Sequence, residues 1–300
     1  MEIAAILLLA ALAIDLVLGE PPLKLHPVAW MGNFIKFLRG EGRGRAYGLV
    51  LLLGTLLFSW SLIFIPLFSV RIGLPYLIYL LWSVYLLKTS FSFKLMRSYA
   101  KRIAESAEAG DLERARAVAQ EIVRRDLKNS DAGHIISAAI ESLAESEVDG
   151  LTSPIFYYPI GLIGPISQRA INTLDSMVGY AYEPYDKVGW ASAKLDTIVN
   201  YLPARLTVLF ISAGALIVGL NWKRAIKTAV RFHKKTKSVN GGWPMSSIAG
   251  ALGVRLEKEG EYSLGYGELP QPFHLRKALK VFDTSFLLFL LIWIIILLVI

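Results

Sequence analysis

The 300 residues are 54% hydrophobic and only 19% charged, with no cysteine and a formal net charge of +8. Such a chain is too apolar for an ordinary soluble domain and too polar for a bare helical bundle, so a membrane protein with extramembrane parts fits. Without cysteine, disulfides, thiolate metal sites and a cysteine nucleophile are excluded, and the basic residues sit beside apolar stretches, where anionic lipid accounts for them better than nucleic acid does.

A first apolar helix is expected at 3–18; it lacks the basic start and cleavage site of a signal peptide, and Asp15 interrupts it. GEPPLKLHPVAWMG follows, a rigid turn that carries Glu20 and His26. Further spans are expected at 48–70, at 74–87 with its flanks, and at 285–300, since a hydrocarbon layer of ~30 Å needs about 20 residues. The stretch 93–150 is polar and helical in pattern. Gly110-Asp111 stops one helix and caps the next, and Asn129, Ser130 and Asp131 offer caps for a third. Segments 151–166 and 206–220 are shorter; the first holds Pro154, Pro159 and Pro165 and is expected to be kinked or re-entrant. Lys24, Lys36 and Arg39 before the second span, Lys94 and Arg97 after the third, and Lys223 to Lys237 after 206–220 place those loops on the cytoplasmic side. The two doubtful segments must then behave as a pair.

Several constellations carry chemistry. His134, Glu141, Glu145 and Asp149 share one face at 100° per residue, a stripe that an ordinary solvated face would also show. Between the doubtful segments, 169–205 sets Asn172 near Asp175 and Asp196 near Asn200, each one turn apart. Carboxylate and amide pairs of this kind suit Mg²⁺ bridging to phosphate, and equally suit helix capping. Lys187, Lys194 and Arg205 are candidates for phosphate or carboxylate groups of a ligand. Tyr180 and Trp190, with their aromatic neighbours, read as interfacial anchors or as a stacking platform. In NGGWPMSS, Asn240, two glycines and Trp243 precede a helix start that favours an anion. No GxxxxGK[ST] occurs.

DLVLGEPPLKLHPVAWMG, RRDLKNSDAGHIISAAIESLAESEVDGLTSPIFYY, NTLDSMVGYAYEPYDKVGWASAKLDTIVNYLPARLT and NGGWPMSSIAGALGVRLE, in this order, resemble the adenosylcobinamide-phosphate synthases, the CobD/CbiB family. Departures are mild: Ser146 for a common Asn, Thr197 for a common second Asp, Lys194 for Arg, and Val239-Asn240-Gly241 for Pro-Asn-Ala. The resemblance implies an integral membrane enzyme that joins adenosylcobyric acid to (R)-1-amino-2-propanol or its O-phosphate by an amide bond, with ATP as co-substrate and Mg²⁺. In that reading Asp175 and Asp196 hold Mg²⁺, Lys194, Arg205 and Arg125 neutralise phosphate, and Glu141 or Asp149 takes the proton of the attacking amine. His26, Asn172, Asn200, Tyr180, Lys187, Trp190, Asn240 and Trp243 complete the substrate-binding set.

The expected fold is all-α: a polytopic integral membrane helical protein with cytoplasmic amphipathic helices and a broken or re-entrant segment. Its expected parts are 1–92 (membrane helices and the His26 loop), 93–150 (cytoplasmic helices), 151–220 (irregular membrane segments enclosing 169–205), 221–283 (basic, cytoplasmic) and 284–300 (a last span). The expected location is the cell membrane, multi-pass, with the active site on the cytoplasmic side. Its partners are the corrinoid, the aminopropanol (phosphate) and the lipid bilayer, with an oligomer allowed and no nucleic acid. Two alternatives stand beside the enzyme, a polytopic transporter and a non-catalytic AmpE-like membrane sensor.

Overall fold

Apolar runs, prolines and short polar caps set the element ends in the computed structural model, which describes residues 2–40, 42–71, 73 and 75–300. Leu74, where the third expected span begins, lies outside the described residues. In chain order the helices begin with α1 (Glu2–Leu18), α2 (Pro27–Leu38), α3 (Arg45–Arg71), α4 (Tyr76–Lys88), α5 (Phe93–Glu108), α6 (Leu112–Gln120) and α7 (Ala132–Glu147). A π-helical turn at Val148–Thr152 leads into the short α8 (Ser153–Phe156), and a 3-10 turn at Tyr158–Ile160 precedes α9 (Ile163–Val178). Then come α10 (Trp190–Val199), α11 (Tyr201–Ile217), α12 (Trp222–Phe232), α13 (Gly242–Leu252), strands β1 (Arg255–Lys258) and β2 (Tyr262–Gly265), and α14 (Pro272–Val299).

The expected caps form: Asp111 accepts from the Arg114 amide and Asp131 from the His134 amide, each meeting a donor that a helix start leaves unpaired. The proline-rich 151–166 is broken as expected, into a π turn, one turn of helix and a 3-10 turn. An all-α description needs one correction. Arg255 to Lys258 pairs antiparallel with Tyr262 to Gly265, and Leu256 faces Leu264 with both side chains fully buried. The alternation of these leucines with polar neighbours, and Gly260 at φ +71 between them, favour a hairpin over a helix.

α3 over Arg45–Phe68 and α14 over Pro272–Val299 are long and apolar enough to cross a membrane. α10 and α11 together would make a third span but bend by 41° at their junction. α1 has 17 residues and α4 has 13, roughly 26 and 20 Å at 1.5 Å per residue. Large apolar side chains stay on the outer faces of these helices, among them Ile6, Leu53, Leu57, Leu81 and Leu291, each more than half exposed. That is a surface suited to lipid. α14 starts well before the expected 285, because no glycine or proline interrupts the chain after Pro272.

The chain forms two compact units. The first comprises Met1–Ser92, Ser153–Asn200 and Trp293–Ile300. Its core joins Ile35 of α2, Leu51 and Leu52 of α3, Ile171, Leu174 and Val178 of α9, and Ala191 of α10. Gly189 makes the α9–α10 connection tight: a Cβ there would run into the Val178 carbonyl. The second unit comprises Phe93–Thr152 and Tyr201–Ile292. Phe93 stacks on Phe282 and Phe286, α12 packs on α13 across Gly250, and the hairpin lies against α7 and α13.

Candidate functional site

In the first unit the polar residues of α9 and α10 form a chain of side-chain hydrogen bonds centred on Asp196. Its Oδ1 accepts from Asn172 Nδ2 at 3.3 Å and from Asn200 Nδ2 at 2.9 Å. Arg169 donates to Asn172 at 3.5 Å, and Gln168 to Asn200 at 3.3 Å. Gln168 and Asn200 are each 1% exposed, so the Asp196 carboxylate is fixed from a buried side. The i,i+4 spacing of Asp196 and Asn200 was legible; their union with Asn172 crosses the whole 179–189 connection.

Asp175 lies one turn beyond Asn172 and packs over Gly179, where a Cβ would strike its Oδ1. Among the described residues no group of three or more His, Asp or Glu side chains is arranged to hold a metal. Both amides turn their nitrogens to Asp196 and their oxygens to Gln168 and Arg169, so Asp175 and Asp196 are the groups of this set whose chemistry suits a hard cation.

Tyr180 gathers Tyr182 and Tyr185 at ring distances of 5.1 and 5.9 Å, and Arg39 reaches the Tyr185 hydroxyl at 3.5 Å. Arg45 lies over the Trp190 ring at 5.2 Å. Lys187 and Lys194 are exposed.

His26 caps α2. The Val28 amide donates to its Nδ1, so the proton sits on Nε2, which donates to Glu20 at 3.0 Å. Glu20 also meets Lys88 Nζ at 2.8 Å, and the same ammonium lies 3.2 Å from Asp15. Lys88 and Asp15 are 1% and 0% exposed. Sequence reasoning missed Lys88, although a lone cation closing one apolar helix and a lone Asp closing another form an opposite-charge pair.

The second unit holds the carboxylate stripe. Glu141 is buried and both its oxygens are engaged: Oε1 by Arg125 at 3.0 Å and Ser137 at 2.7 Å, Oε2 by the Tyr262 hydroxyl at 2.7 Å. Arg125 also donates to the Glu257 carbonyl at 3.1 Å. Burial pushes the Glu141 carboxyl up, while Arg125, Tyr262 and Ser137 pull it down. The Tyr262 phenol is raised by burial and by Glu141. This knot ties α7 to the 121–131 loop and the hairpin.

Glu145, one turn on, differs. The side chain is exposed to solvent, yet desolvation by neighbouring protein and the Glu141 charge push its carboxyl up to about 7 against Arg124, Lys258 and Arg125. No ion pair or hydrogen bond holds it among the described residues. It rests against Gly241, where a Cβ would meet Oε1 at 2.5 Å.

Beside Gly241, Asn240 accepts from Arg205 Nη1 at 2.8 Å, and Arg205 lies over the Tyr201 ring at 3.4 Å and the Trp243 ring at 5.1 Å. Trp243 stacks on His233, and its indole nitrogen is buried with no hydrogen-bond partner among the described residues. The structure therefore brings together Glu145, Arg205, Asn240 and Trp243. Asp149 falls in the π turn after α7. His134 is taken up by Asp131 at 2.9 Å and Glu259 at 3.5 Å.

Residues 8–282 match the family model described as CobD/Cbib protein. The probable cobalamin biosynthesis protein CobD of Methanothermobacter thermautotrophicus is 38% identical over 260 residues, covering 86% of each chain. Cobalamin biosynthesis protein CobD of Dehalococcoides mccartyi is 38% identical over 275 residues, 88% of this chain and 87% of its own. The probable CobD of Pyrococcus furiosus is 38% identical over 289 residues, 94% and 95% of the two chains. No solved structure matches.

Proposed function

The chain belongs to the CobD/CbiB family of cobalamin biosynthesis, and on that premise we propose that it forms the amide bond between adenosylcobyric acid and (R)-1-amino-2-propanol or its O-phosphate. A carboxylate and an ammonium do not condense in neutral water, so the acid is first activated. In this reading a carboxylate oxygen of the corrinoid attacks the γ-phosphorus of ATP, ADP departs, and an acyl phosphate results. The amine then attacks the acyl carbon, phosphate leaves, and the amine's proton passes to a base. Asp175 and Asp196 would hold Mg²⁺, which when bound neutralises phosphate charge.

The observation that supports the proposal is the position of the Glu145 carboxylate, against Gly241 and beside the Arg205–Asn240 turn, with no side-chain hydrogen bond or ion pair among the described residues and a pKa raised toward neutrality. A base works best with a pKa close to the operating pH. Glu141 has both oxygens occupied, so Glu145 takes the amine proton and Glu141 serves to position α7. Arg125 is held by Glu141 and the Glu257 carbonyl, so in this reading it belongs to that knot and Arg205 is the cation of this unit left for phosphate. The basic loops at Lys94 and Lys223 to Lys237 support a site facing the cytoplasm, where ATP is found.

The test is product formation from adenosylcobyric acid, ATP, Mg²⁺ and aminopropanol phosphate. Glu145→Gln should lower turnover by about 10²–10⁴-fold, the usual worth of a general base, and Asp175→Ala or Asp196→Ala should abolish product while membrane insertion persists. Full turnover in Glu145→Gln would remove the base assignment; full turnover in both aspartate variants would remove the metal assignment.

A further inference from the structure

A pocket of about 490 Å³ opens along α12, lined by Lys223, Arg224, Lys227, Arg231, Thr228 and Tyr266. Asn221 is the seventh lining residue; four of the seven side chains are cations, and no carboxylate lines the pocket. None of the four has an ion pair among the described residues. Lys223, Lys227 and Arg231 stand four residues apart on one face, an arrangement that repels itself along a helix. Arg224 is aimed by its own bond, Nε to the Gly250 carbonyl at 2.6 Å. Arg231 lies 5.6 Å over the Tyr266 ring, which forms a wall of the pocket.

Thr228 supplies the second, independent sign of a ligand. Thr55, Thr173, Thr197 and Thr207 each return the hydroxyl to the carbonyl four residues back. Thr228, also helical and 1% exposed, does not: its Oγ1 is buried with no hydrogen-bond partner among the described residues. A hydroxyl left unpaired at such a place is destabilising unless a ligand meets it.

We propose that this pocket binds a phosphorylated polyanion, with Lys223, Arg224, Lys227 and Arg231 pairing its phosphate oxygens and the Thr228 hydroxyl donating to one of them. Four cations around this volume match a diphosphate or triphosphate group, or the phosphate-bearing headgroup of an anionic lipid. The site stands independently of the amide-forming reading and of the Glu145 cluster.

The full-length protein in detergent is titrated with inorganic tripolyphosphate by calorimetry. In parallel, nanodiscs of phosphatidylcholine with and without phosphatidylglycerol are scored for retained anionic lipid by native mass spectrometry. Removing one charge-assisted hydrogen bond weakens binding about tenfold, so Lys227→Gln/Arg231→Gln should weaken it about a hundredfold, and Thr228→Val, a near-isosteric change, about tenfold. Lys101→Gln/Lys128→Gln removes the same charge elsewhere in this unit and should leave binding unchanged. Loss of tripolyphosphate binding in the pocket variants assigns a soluble phosphorylated ligand; loss of retained phosphatidylglycerol alone assigns a lipid headgroup. If neither probe responds to the pocket variants, or the control pair weakens binding equally, the proposal is overturned.

Discussion

Replacing Lys88 by methionine removes a cation shared by Asp15 at 3.2 Å and Glu20 at 2.8 Å, both pairs formed by an ammonium that is 1% exposed. At an effective dielectric near 20 the gross attraction to each carboxylate is roughly 5 kcal/mol. Much of that is offset by desolvation, so the net cost of removal is about 3–5 kcal/mol, because the fully buried Asp15 carboxylate loses the ammonium beside it. Asp15→Asn should cost less, about 1–2 kcal/mol, since Lys88 keeps Glu20 and a neutral amide needs no counter-charge. The double variant Lys88→Met/Asp15→Asn should therefore be more stable than Lys88→Met alone, a coupling that a double-mutant cycle isolates. At roughly 2 °C per kcal/mol, thermal unfolding in detergent should show a drop of about 6–10 °C for Lys88→Met. A drop below about 2 °C, or a larger loss in Asp15→Asn than in Lys88→Met, would refute the three-body account.

Other outcomes are specific to the second unit. Glu145 has its folded pKa raised to about 7 from 4.5, so the folded state retains a proton that the unfolded chain has lost between those values. Its contribution to stability is present below about pH 4.5 and is lost as pH rises to about 7. Melting curves of wild type and Glu145→Gln should therefore coincide at about pH 4, with the variant the more stable at about pH 8, even as it loses turnover. Gly241→Ala places a methyl against the Glu145 carboxylate; it should lower turnover at least about tenfold with a stability loss under about 1 kcal/mol, because only a flexible side-chain end must move. Tyr262→Phe removes one donor from the buried Glu141 and should cost about 1–3 kcal/mol in a urea titration. Arg125→Met leaves that carboxylate without its cation and should cost about 3–5 kcal/mol by the same measurement.

What sequence patterns reveal here is set by distance along the chain. Asp111 and Asp131 were legible as caps because a cap and its helix are neighbours, and the broken 151–166 followed from three prolines. The pairing of Asp196 with Asn200 was legible for the same reason. The hairpin escaped because each strand has four residues and the alternation of Leu256 and Leu264 is short. The stripe from His134 to Asp149 was visible as a face, but periodicity treats Glu141 and Glu145 alike. Only their partners separate them: Tyr262, 121 residues from Glu141, saturates one, and no side chain among the described residues hydrogen-bonds the other. Lys88 escaped likewise, its partner Asp15 lying on a different apolar helix.

The knot around Glu141 also imposes an order of events on synthesis. Tyr262 leaves the ribosome 121 residues after Glu141, a delay of roughly 6–24 s at about 5–20 residues per second. During that interval α7 carries a carboxylate lacking one of its donors, and water is the substitute available to it. The helix nearest the proposed chemistry therefore completes its donor set only when the hairpin emerges. The nascent chain closes its carboxylate cluster from the C-terminal side, after most of its membrane-facing helices have already been made.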